Sequence, residues 1–530
     1  MPKRKLKIKK LHFHPITTLI VAIIAVMLVS SVLQFFKVQI SYALINSRGE
    51  LENTIVAVKG MFNAEGFRYV VSEALRNFAT FTPTSSLLVA LIGLSVAHAS
   101  GLIDTFIKRV TLKLNNKVIT FILIFLAVFS SLINEVGFVI LIPLAALVFL
   151  ANGRNPLLGI TAAFCGVAFG YGASLFAGST EIALVPITEL AAKLVDAEYH
   201  VSMLSNLFAI ITTTVVLSFV GTYVIENIVV KKVGRYKVKE EDTSGETKEI
   251  RLDEMAIEEQ KRLERELHEK RGLRYGAIAG LIAIILFVYM IIPNLPGSGL
   301  LLDKNQFAYI DKLFGDNSYF QSGFTVLVGL FFTVTGIAYA FGAKSLKNDK
   351  DLIEKASAYL KDVGYVIVLM FFASNLIAVF KETNIGTVIV GLISNLIKET
   401  PFSGFPLIFV VLLAIAVSNL FVTSQSTKWT MLSPVVVPLL MQNNISPQFA
   451  QFIYRAGDSM TKGLTPLLAY FVIYLAYLNI YNKDDDPITI RKAISFVSPY
   501  CLIISLTWLF IILFFYMLRI PIGPGVGVGL

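Results

Sequence analysis

The sequence predicts an all-α polytopic membrane protein in which two re-entrant hairpins and two broken helices form an inverted repeat. The chain is 55% hydrophobic and only 15% charged, with several apolar runs of 18 residues or more, as is typical of helices that cross a bilayer. Two apolar runs are too long for one span, and two others are interrupted near their centres by glycines and polar residues. Such irregular backbone is tolerated at membrane depth only where protein or a water-filled cavity encloses it.

The first span is predicted at residues 16–36. Residues 1–10 contain six lysines and arginines, and this end is placed in the cytoplasm because positive residues are enriched on that side. The apolar run is too long for a signal-peptide core and lacks a small-residue cleavage site, so it is interpreted as uncleaved. An external segment follows, with a surface helix near 66–79, and residues 85–107 return inward.

The apolar run 118–151 is 34 residues long and ends at the basic, turn-rich residues 152–156. A single span would place Arg154 outside, whereas a hairpin that enters and leaves from the cytoplasm keeps it inside. The predicted tip of this hairpin carries Asn134 and Glu135, whose polar side chains are candidates for binding.

The first broken helix is predicted at residues 157–190, where glycines, Ser174 and Glu181 interrupt the apolar pattern. Glu181 is a candidate proton carrier. The alternative is that it only lies near the outer mouth of the protein and carries no proton. Residues 204–230 return to the cytoplasm, and a polar stretch follows up to residue 274. Its part 253–270 has the composition of a solvated helix with Glu/Lys pairs.

The second half repeats this order with opposite orientation. A span at 363–380 precedes the run 405–441, which is again too long for one helix and forms a second hairpin, entered from outside. Residues 449–481 form the second broken helix, and 494–518 form the last span. Inverted repeats with paired discontinuous helices are the architecture of secondary transporters, whose substrates bind near the bilayer midplane.

The predicted divisions are an N-terminal span with an external segment, a first repeat, a cytoplasmic charged helical linker, scaffold or dimerisation spans, a second repeat and a C-terminal tail. Their residues are 1–82, 83–230, 231–274, 275–361, 362–520 and 521–530, respectively.

Three charges in the second broken helix are the strongest candidates for a transport site. Arg455 lies three residues before Asp458 and Lys462 four after it, so a helical backbone places all three on one face. A charge at the bilayer centre costs about 2.5–3.5 kcal/mol and usually marks a substrate or ion path. The glycines and proline of 455–466 also predict that the backbone unwinds there. Two interpretations stay open. The charges form a cluster that stabilises the helix, or Asp458 binds the coupling ion while Arg455 either sets the pKa of Asp458 or binds an anionic substrate.

The second hairpin tip adds polar side chains that would orient a carboxylate or an amide, although small polar residues also let helices pack closely. Trp429 beside this tip offers a flat face to an aromatic substrate, or it anchors the chain at the membrane interface. The candidate binding residues of the tip are Asn419, Ser424, Ser426 and Lys428.

Several classes of protein are disfavoured. The net charge of +10 does not indicate nucleic-acid binding, because the positive residues crowd at the ends of spans. Cys165 and Cys501 show no metal-ligand spacing, and the glycines of 166–178 lack the Lys-Ser/Thr of a phosphate loop. The five histidines are scattered, unlike those of a membrane metalloprotease, and the paired hairpins favour a midplane site over a channel. We expect no enzymatic activity and no cofactor, only a proton or sodium as coupling ion.

Three ordered motifs carry a family resemblance. They lie at residues 143–157, which contain Gly-Arg-Asn-Pro-Leu, at 426–438, which contain Ser-Thr-Lys-Trp, and at 454–459, which read Tyr-Arg-Ala-Gly-Asp-Ser. Together they resemble the aminobenzoyl-glutamate transporter (AbgT) family over roughly residues 85–515. The resemblance implies a bowl-shaped homodimer in the bacterial inner membrane, with nine spans and two hairpins per subunit. It also implies ion-coupled import of aminobenzoyl-glutamate, or export of aminobenzoate-like antimetabolites including sulfonamides.

The resemblance also implies functional residues, and it shows departures. The family's usual Thr-Asn after Gly-Asp-Ser is Thr461-Lys462 here, which makes both residues candidates at the ion site. We hypothesise that the Lys462 ammonium stands where a sodium ion would otherwise bind beside Asp458, so that transport needs no sodium. Residues implicated in the family match Trp429, Pro438, Arg455 and Asp458, an asparagine of the second tip matches Asn419, and the first-repeat aspartate falls on Glu181.

Overall fold

The computed structural model describes residues 13–46, 49–110, 114–133, 135–234, 236, 252–315 and 317–530. Within these residues, eight helical segments are long and apolar enough to cross a membrane, and many large apolar side chains on them are exposed. A lipid environment explains such a surface, and the predicted multi-pass helical membrane protein is confirmed. The segments are Pro15–Phe35, Ala64–Ala99, Asn116–Ile133, Leu207–Val233, Arg262–Ile291, Tyr319–Ala343, Val363–Glu382 and Ile490–Leu518.

The N-terminal region contains a β-hairpin that the sequence analysis did not predict. After helix α1 (Pro15–Phe35), strands β1 (Gln39–Ile45) and β2 (Leu51–Ala57) pair antiparallel, with Gln39 opposite Ala57. Helix α2 (Ala64–Ala79) follows, where a surface helix was predicted. The Asn63 side chain caps it by accepting from the Gly66 N–H at 2.8 Å, as is common at helix N-termini.

The predicted span 85–107 is two helices rather than one. Helix α3 (Thr82–Ala99) ends before Gly101, whose φ of +84° is left-handed, and α4 (Leu102–Val110) begins after it. Glycine adopts this conformation without steric penalty, so the break is encoded locally.

The first half then forms a helix–turn–helix, a broken helix and a long helix. The first broken helix is interrupted at 170–178, inside the region predicted from its glycines. The elements are α5 (Asn116–Phe129), a 3₁₀ turn (Ser130–Ile133), α6 (Val136–Ala151), α7 (Pro156–Phe169), α8 (Ser179–Ala192) and α9 (Leu207–Val224), which continues through a π-helical turn (Ile225–Val229) into α10 (Val230–Val233).

Four helices connect the two halves. The first, α11, is 40 residues long and continues without interruption from the charged linker into the apolar region. It packs along the third, α13. The linker residues 237–251 lie outside the described part of the chain. The helices are α11 (Leu252–Ile291), α12 (Tyr309–Phe314), α13 (Tyr319–Ala343) and α14 (Asp349–Tyr359).

The second half repeats the order of the first: helix–turn–helix, broken helix, long helix. Two helices precede this series, and the interruption in the broken helix falls between α19 and α20. The elements are α15 (Val363–Glu382), α16 (Ile385–Lys398), α17 (Gly404–Ser418), α18 (Gln425–Gln442), α19 (Pro447–Thr461), a 3₁₀ turn (Lys462–Leu464), α20 (Phe471–Ile480) and α21 (Ile490–Leu518).

The broken helices occupy the centre of the protein. Every residue of α7 is buried, and so is every residue of α19 except Thr461. Aromatic side chains link the two halves of the chain: the rings of Phe164 on α7 and Tyr474 on α20 stack with centroids 4.2 Å apart, and those of Phe138 on α6 and Tyr470 just before α20 stack at 5.2 Å. The polar residues of α19 are therefore enclosed by protein rather than by lipid.

Candidate functional site

Helix α19 remains intact through its charged residues, which corrects the prediction that the backbone unwinds from Arg455 onward. The regular helix ends at Thr461, and the irregular segment follows. Pro466 explains the position of the end, because a proline ring clashes with the carbonyl four residues earlier. Gly457 does not break the helix. It allows α19 and α17 to pack closely, because a Cβ at Gly457 would lie 2.9 Å from the Ile415 Cβ on α17.

The Asp458 carboxylate lies between two lysine ammonium groups. Its Oδ1 accepts a hydrogen bond from Lys428 Nζ, and its Oδ2 lies 3.3 Å from Lys462 Nζ. All three side chains are at most 1% exposed. The predicted contact between Asp458 and Lys462 is thus present, whereas the Lys428 pairing was not anticipated.

The turn between α17 and α18 contacts the Asp458–Lys428 pair. Lys428 Nζ also donates to Asn419 Oδ1 at 2.6 Å, and Asn419 Nδ2 donates to the Asp458 carbonyl at 2.6 Å. The Thr461 hydroxyl donates to the Ala416 carbonyl at 2.6 Å. The turn after α17, the start of α18 and the end of α19 therefore form one hydrogen-bonded unit.

Lys462 has a second partner from the first half of the chain. Its Nζ lies 3.5 Å from the centre of the Tyr171 ring, a cation–π contact that stabilises a buried ammonium group. The Tyr171 hydroxyl donates to Glu135 Oε1 at 3.4 Å, so Glu135 joins the edge of the cluster. Asn134, the neighbouring candidate, lies outside the described residues.

Arg455 pairs with Glu181 and not with Asp458. Its Nη1 contacts Glu181 Oε1, and its Nε donates to the Gly172 carbonyl at 2.9 Å. Glu181 Oε2 accepts from the Gly178 N–H at 2.8 Å at the start of α8, where a carboxylate favours the helix N-terminus. Glu181 is 2% exposed, so in this structure it is an internal ion-pair partner and not a residue of the outer mouth.

The buried cluster carries excess positive charge. Among the buried side chains, Lys428, Arg455 and Lys462 supply three cations against the carboxylates of Asp458 and Glu181, which leaves 3 − 2 = +1 when all are ionised. Glu135 at the edge of the cluster is only half-buried and is not counted in this sum. Arg455 Nη2 also has no hydrogen-bond partner among the described residues. A buried, incompletely paired cation is costly, so this arrangement favours an added anion.

Trp429 is fully buried, which excludes the interpretation as an interfacial anchor. Its ring stacks on Tyr454 with centroids 4.4 Å apart, and its Nε1 donates to Thr188 Oγ1 at 2.9 Å. Thr188 Oγ1 also donates to Gln451 Oε1 at 2.7 Å. The sequence analysis missed Thr188 and Gln451, although Gln451 lies one helical turn from Arg455 and Thr188 two turns from Glu181.

The remaining predicted residues do not join the cluster. Ser424 is exposed and caps α18 by accepting from the Thr427 N–H at 3.5 Å. Ser426 is exposed, and Pro438 is half-buried inside α18. Ser174 is buried, with its hydroxyl accepting from the Phe176 N–H at 3.4 Å, and so it shapes the break between α7 and α8.

Within the described part of the chain, no group of three or more His, Cys, Asp or Glu side chains is placed to hold a metal ion. Cys165 and Cys501 are buried and form no disulfide.

This fold and site define a multi-pass membrane protein with a buried ion-pair cluster between two broken helices. The sequence model of the AbgT putative transporter family matches residues 8–530. The chain belongs to this family, as its motifs indicated, and it is a membrane transporter by that membership.

Relatives of known identity match over most of their length. The p-aminobenzoyl-glutamate transport protein of Escherichia coli (strain K12) is 27% identical over 513 residues, which cover 97% of this chain and 94% of the relative. The crystal structure of the Alcanivorax borkumensis YdaH transporter is 26% identical, with a TM-score of 0.46, covering 97% of this chain and 100% of that one. Neisseria gonorrhoeae MtrF, whose structure is described as illuminating a class of antimetabolite efflux pumps, is 28% identical, with a TM-score of 0.47 and 98% of each chain covered.

Proposed function

We propose that this protein is an ion-gradient-coupled secondary transporter of a small aromatic or carboxylated solute. Aminobenzoyl-glutamate is one candidate solute, because a relative is named for the transport of p-aminobenzoyl-glutamate. Aminobenzoate and sulfonamide-type antimetabolites are further candidates, because another relative is described with a class of antimetabolite efflux pumps. The observation that carries the proposal is the excess positive charge of the buried cluster. An anionic group that enters the cluster would offset this excess charge, and Arg455 Nη2 would donate a hydrogen bond to it.

The order of elements supports transport by alternating access. Each half contains a helix–turn–helix followed by a broken helix, and contacts between the halves meet at the charged cluster. We propose that the two helix–turn–helix units, α5–α6 and α17–α18, are re-entrant hairpins of an inverted repeat. Rocking of one repeat against the other would then expose the cluster to each side of the membrane in turn.

The proposal includes an assembly and a location. We place the protein in the bacterial inner membrane as a homodimer with its N-terminus in the cytoplasm. The orientation rests on the lysines and arginines of residues 1–10. The spans within 275–361 are proposed to contribute to the dimer, since α11 exposes a broad apolar surface.

A binding screen of the purified protein tests the substrate class. Aminobenzoyl-glutamate, aminobenzoate, sulfonamides and unrelated dicarboxylates would be titrated against the wild type and Asp458→Asn, which keeps the size of the side chain. We expect aromatic carboxylates to bind the wild type and to bind the variant with a different affinity. If no aromatic carboxylate binds while another class of solute does, the proposed substrate is wrong.

We further propose that transport does not require sodium and that a proton is the coupling ion. Both oxygens of the Asp458 carboxylate already meet ammonium groups, those of Lys428 and Lys462. A sodium ion at that carboxylate would be repelled by two positive charges, each by about 4 kcal/mol at 4 Å and an effective dielectric constant of 20.

Uptake or efflux in proteoliposomes tests the coupling ion directly. We expect the transport rate to be unchanged when choline replaces sodium at constant pH gradient, and to fall when the pH gradient is collapsed. Strict dependence on sodium would contradict the proposal.

A further inference from the structure

Two buried polar groups on α19 lack hydrogen-bond partners among the described residues. They are Arg455 Nη2 and Gln451 Nε2, and both side chains are fully buried. The two residues are four positions apart on one helix, so their side chains are neighbours on the same face. Unpaired buried donors are rare in native proteins and call for a physical explanation.

Other contacts hold both groups in place. The Arg455 guanidinium is fixed by Glu181 and by the Gly172 carbonyl. The Gln451 amide is fixed through its Oε1 by Thr188, which in turn accepts from the Trp429 indole. With these bonds in place, Arg455 Nη2 and Gln451 Nε2 have no protein partner among the described residues, and they are donors available to a ligand.

We propose that Gln451 and Arg455 form a carboxylate subsite, in which Arg455 Nη2 donates to one oxygen of the substrate and Gln451 Nε2 to the other. This inference rests on the proposed transport function and specifies its substrate-reading residue. A carboxylate is an acceptor at both oxygens, and its negative charge offsets the excess positive charge of the cluster.

The subsite distinguishes a carboxylate from its amide. A carboxamide has one acceptor oxygen, and its NH₂ group would face the remaining donor. Sites built from buried donors discriminate strongly against ligands that leave a donor unpaired. Arg455 supplies the charge, and Gln451 is the specificity-determining residue because it meets the second oxygen.

The test compares 4-aminobenzoate with 4-aminobenzamide, which differ only at this group. Binding of each to the purified full-length protein in lipid nanodiscs is measured by calorimetry for the wild type, Gln451→Leu and Gln451→Met. We expect each variant to weaken aminobenzoate binding by about tenfold or more, since hydrogen bonds to charged groups are the stronger ones, and to leave aminobenzamide binding unchanged. The Met variant replaces the Leu variant if the latter does not fold.

Gln448→Leu is the matched control. Gln448 is a buried glutamine one turn earlier on α19, whose Oε1 accepts from the Tyr199 hydroxyl at 2.9 Å, and we expect its loss to leave the preference for aminobenzoate unchanged. A preserved preference in the Gln451 variants, or an equal loss for both compounds, would overturn the inference and leave the proposed function intact. A wild type that binds no aromatic carboxylate would overturn both.

Discussion

The Arg455 guanidinium and the Glu181 carboxylate join the two broken helices across 274 positions of sequence. Arg455 lies on α19 and Glu181 in the first turn of α8, and both side chains are almost completely buried. Neither charge has access to solvent, so each depends on the other. The pair therefore fixes the relation between the two halves of the chain in the state that the structure shows.

Removing one member of this pair should destabilise the protein strongly. Arg455→Leu leaves the Glu181 carboxylate buried without a cation, and we expect the free energy of unfolding to fall by about 3–5 kcal/mol. The double variant Glu181→Leu/Arg455→Leu removes both charges and should recover most of this loss. Denaturation in mixed micelles, followed by circular dichroism, measures the free energies of unfolding of the wild type, the single variant and the double variant.

A partly exposed ion pair at the end of α8 provides the control. Glu189 on α8 and Lys193 just after it are 2.6 Å apart, and their side chains are 25% and 35% exposed. We expect Lys193→Leu to change the free energy of unfolding by no more than about 1 kcal/mol. A double variant at Glu181 and Arg455 as unstable as the single one would show that the cost does not arise from the unpaired charge.

Much of the fold was predictable because the length and polarity of spans follow from the bilayer. The interruption at 170–178 was predicted from its glycines. The sequence analysis predicted only a surface helix in the external segment and so missed the β1–β2 hairpin. It missed the helix break at Gly101 because apolar length alone does not reveal a residue with a left-handed backbone.

The site was predictable only where its contacts are local. The pairing of Lys462 with Asp458 follows from i,i+4 spacing. Lys428 lies 30 positions before Asp458, and Glu181 is far more distant from Arg455, so no periodicity indicates either pairing. The sequence analysis identified all of these residues as candidates, but only packing of the helices shows which carboxylate meets which cation.

Lys462→Asn should create a response to sodium that the wild type lacks. The substitution removes the ammonium group beside Asp458 Oδ2 and adds an amide oxygen, and hard cations prefer oxygen ligands. We expect sodium, compared with choline, to raise the melting temperature of the variant but not that of the wild type, because a ligand that binds only the folded state stabilises it.

Lys462→Met separates the two effects of Lys462→Asn, which are the loss of the charge and the gain of an oxygen ligand. It removes the charge but supplies no oxygen ligand, so we expect a smaller sodium response than in Lys462→Asn. An equal sodium response in the wild type and Lys462→Asn would contradict the proposal that the lysine occupies the place of the ion.

Gly93 on α3 should tolerate no side chain, because α3 and α13 cross there in backbone contact. A Cβ at Gly93 would overlap the backbone of Gly329, whereas a Cβ at Gly329 would lie 3.1 Å from the Val89 carbonyl oxygen. We expect Gly93→Ala to lower the free energy of unfolding by about 1–3 kcal/mol and Gly329→Ala to have the smaller effect. Denaturation of the two variants side by side measures the difference, and a larger effect at Gly329 would be incompatible with this crossing.

Ile522 in the C-terminal tail should contribute to stability as a core residue does. It is fully buried, and its carbonyl accepts from the Ala209 N–H at 3.0 Å near the start of α9. The tail continues to Val528, whose carbonyl accepts from the Ser446 N–H at 2.8 Å before α19. It therefore connects the last helix of the first half to the broken helix of the second.

We expect Ile522→Ala to lower the free energy of unfolding by about 2–5 kcal/mol, the usual cost of truncating a buried isoleucine. Leu530→Ala is the control, because Leu530 is 59% exposed and substitutions at such positions change stability by about 0.5 kcal/mol or less. Both values come from the same denaturation experiment. Equal effects of the two substitutions would mean that the tail does not pack against α9 as the structure shows, since only the buried side chain leaves a cavity when it is shortened.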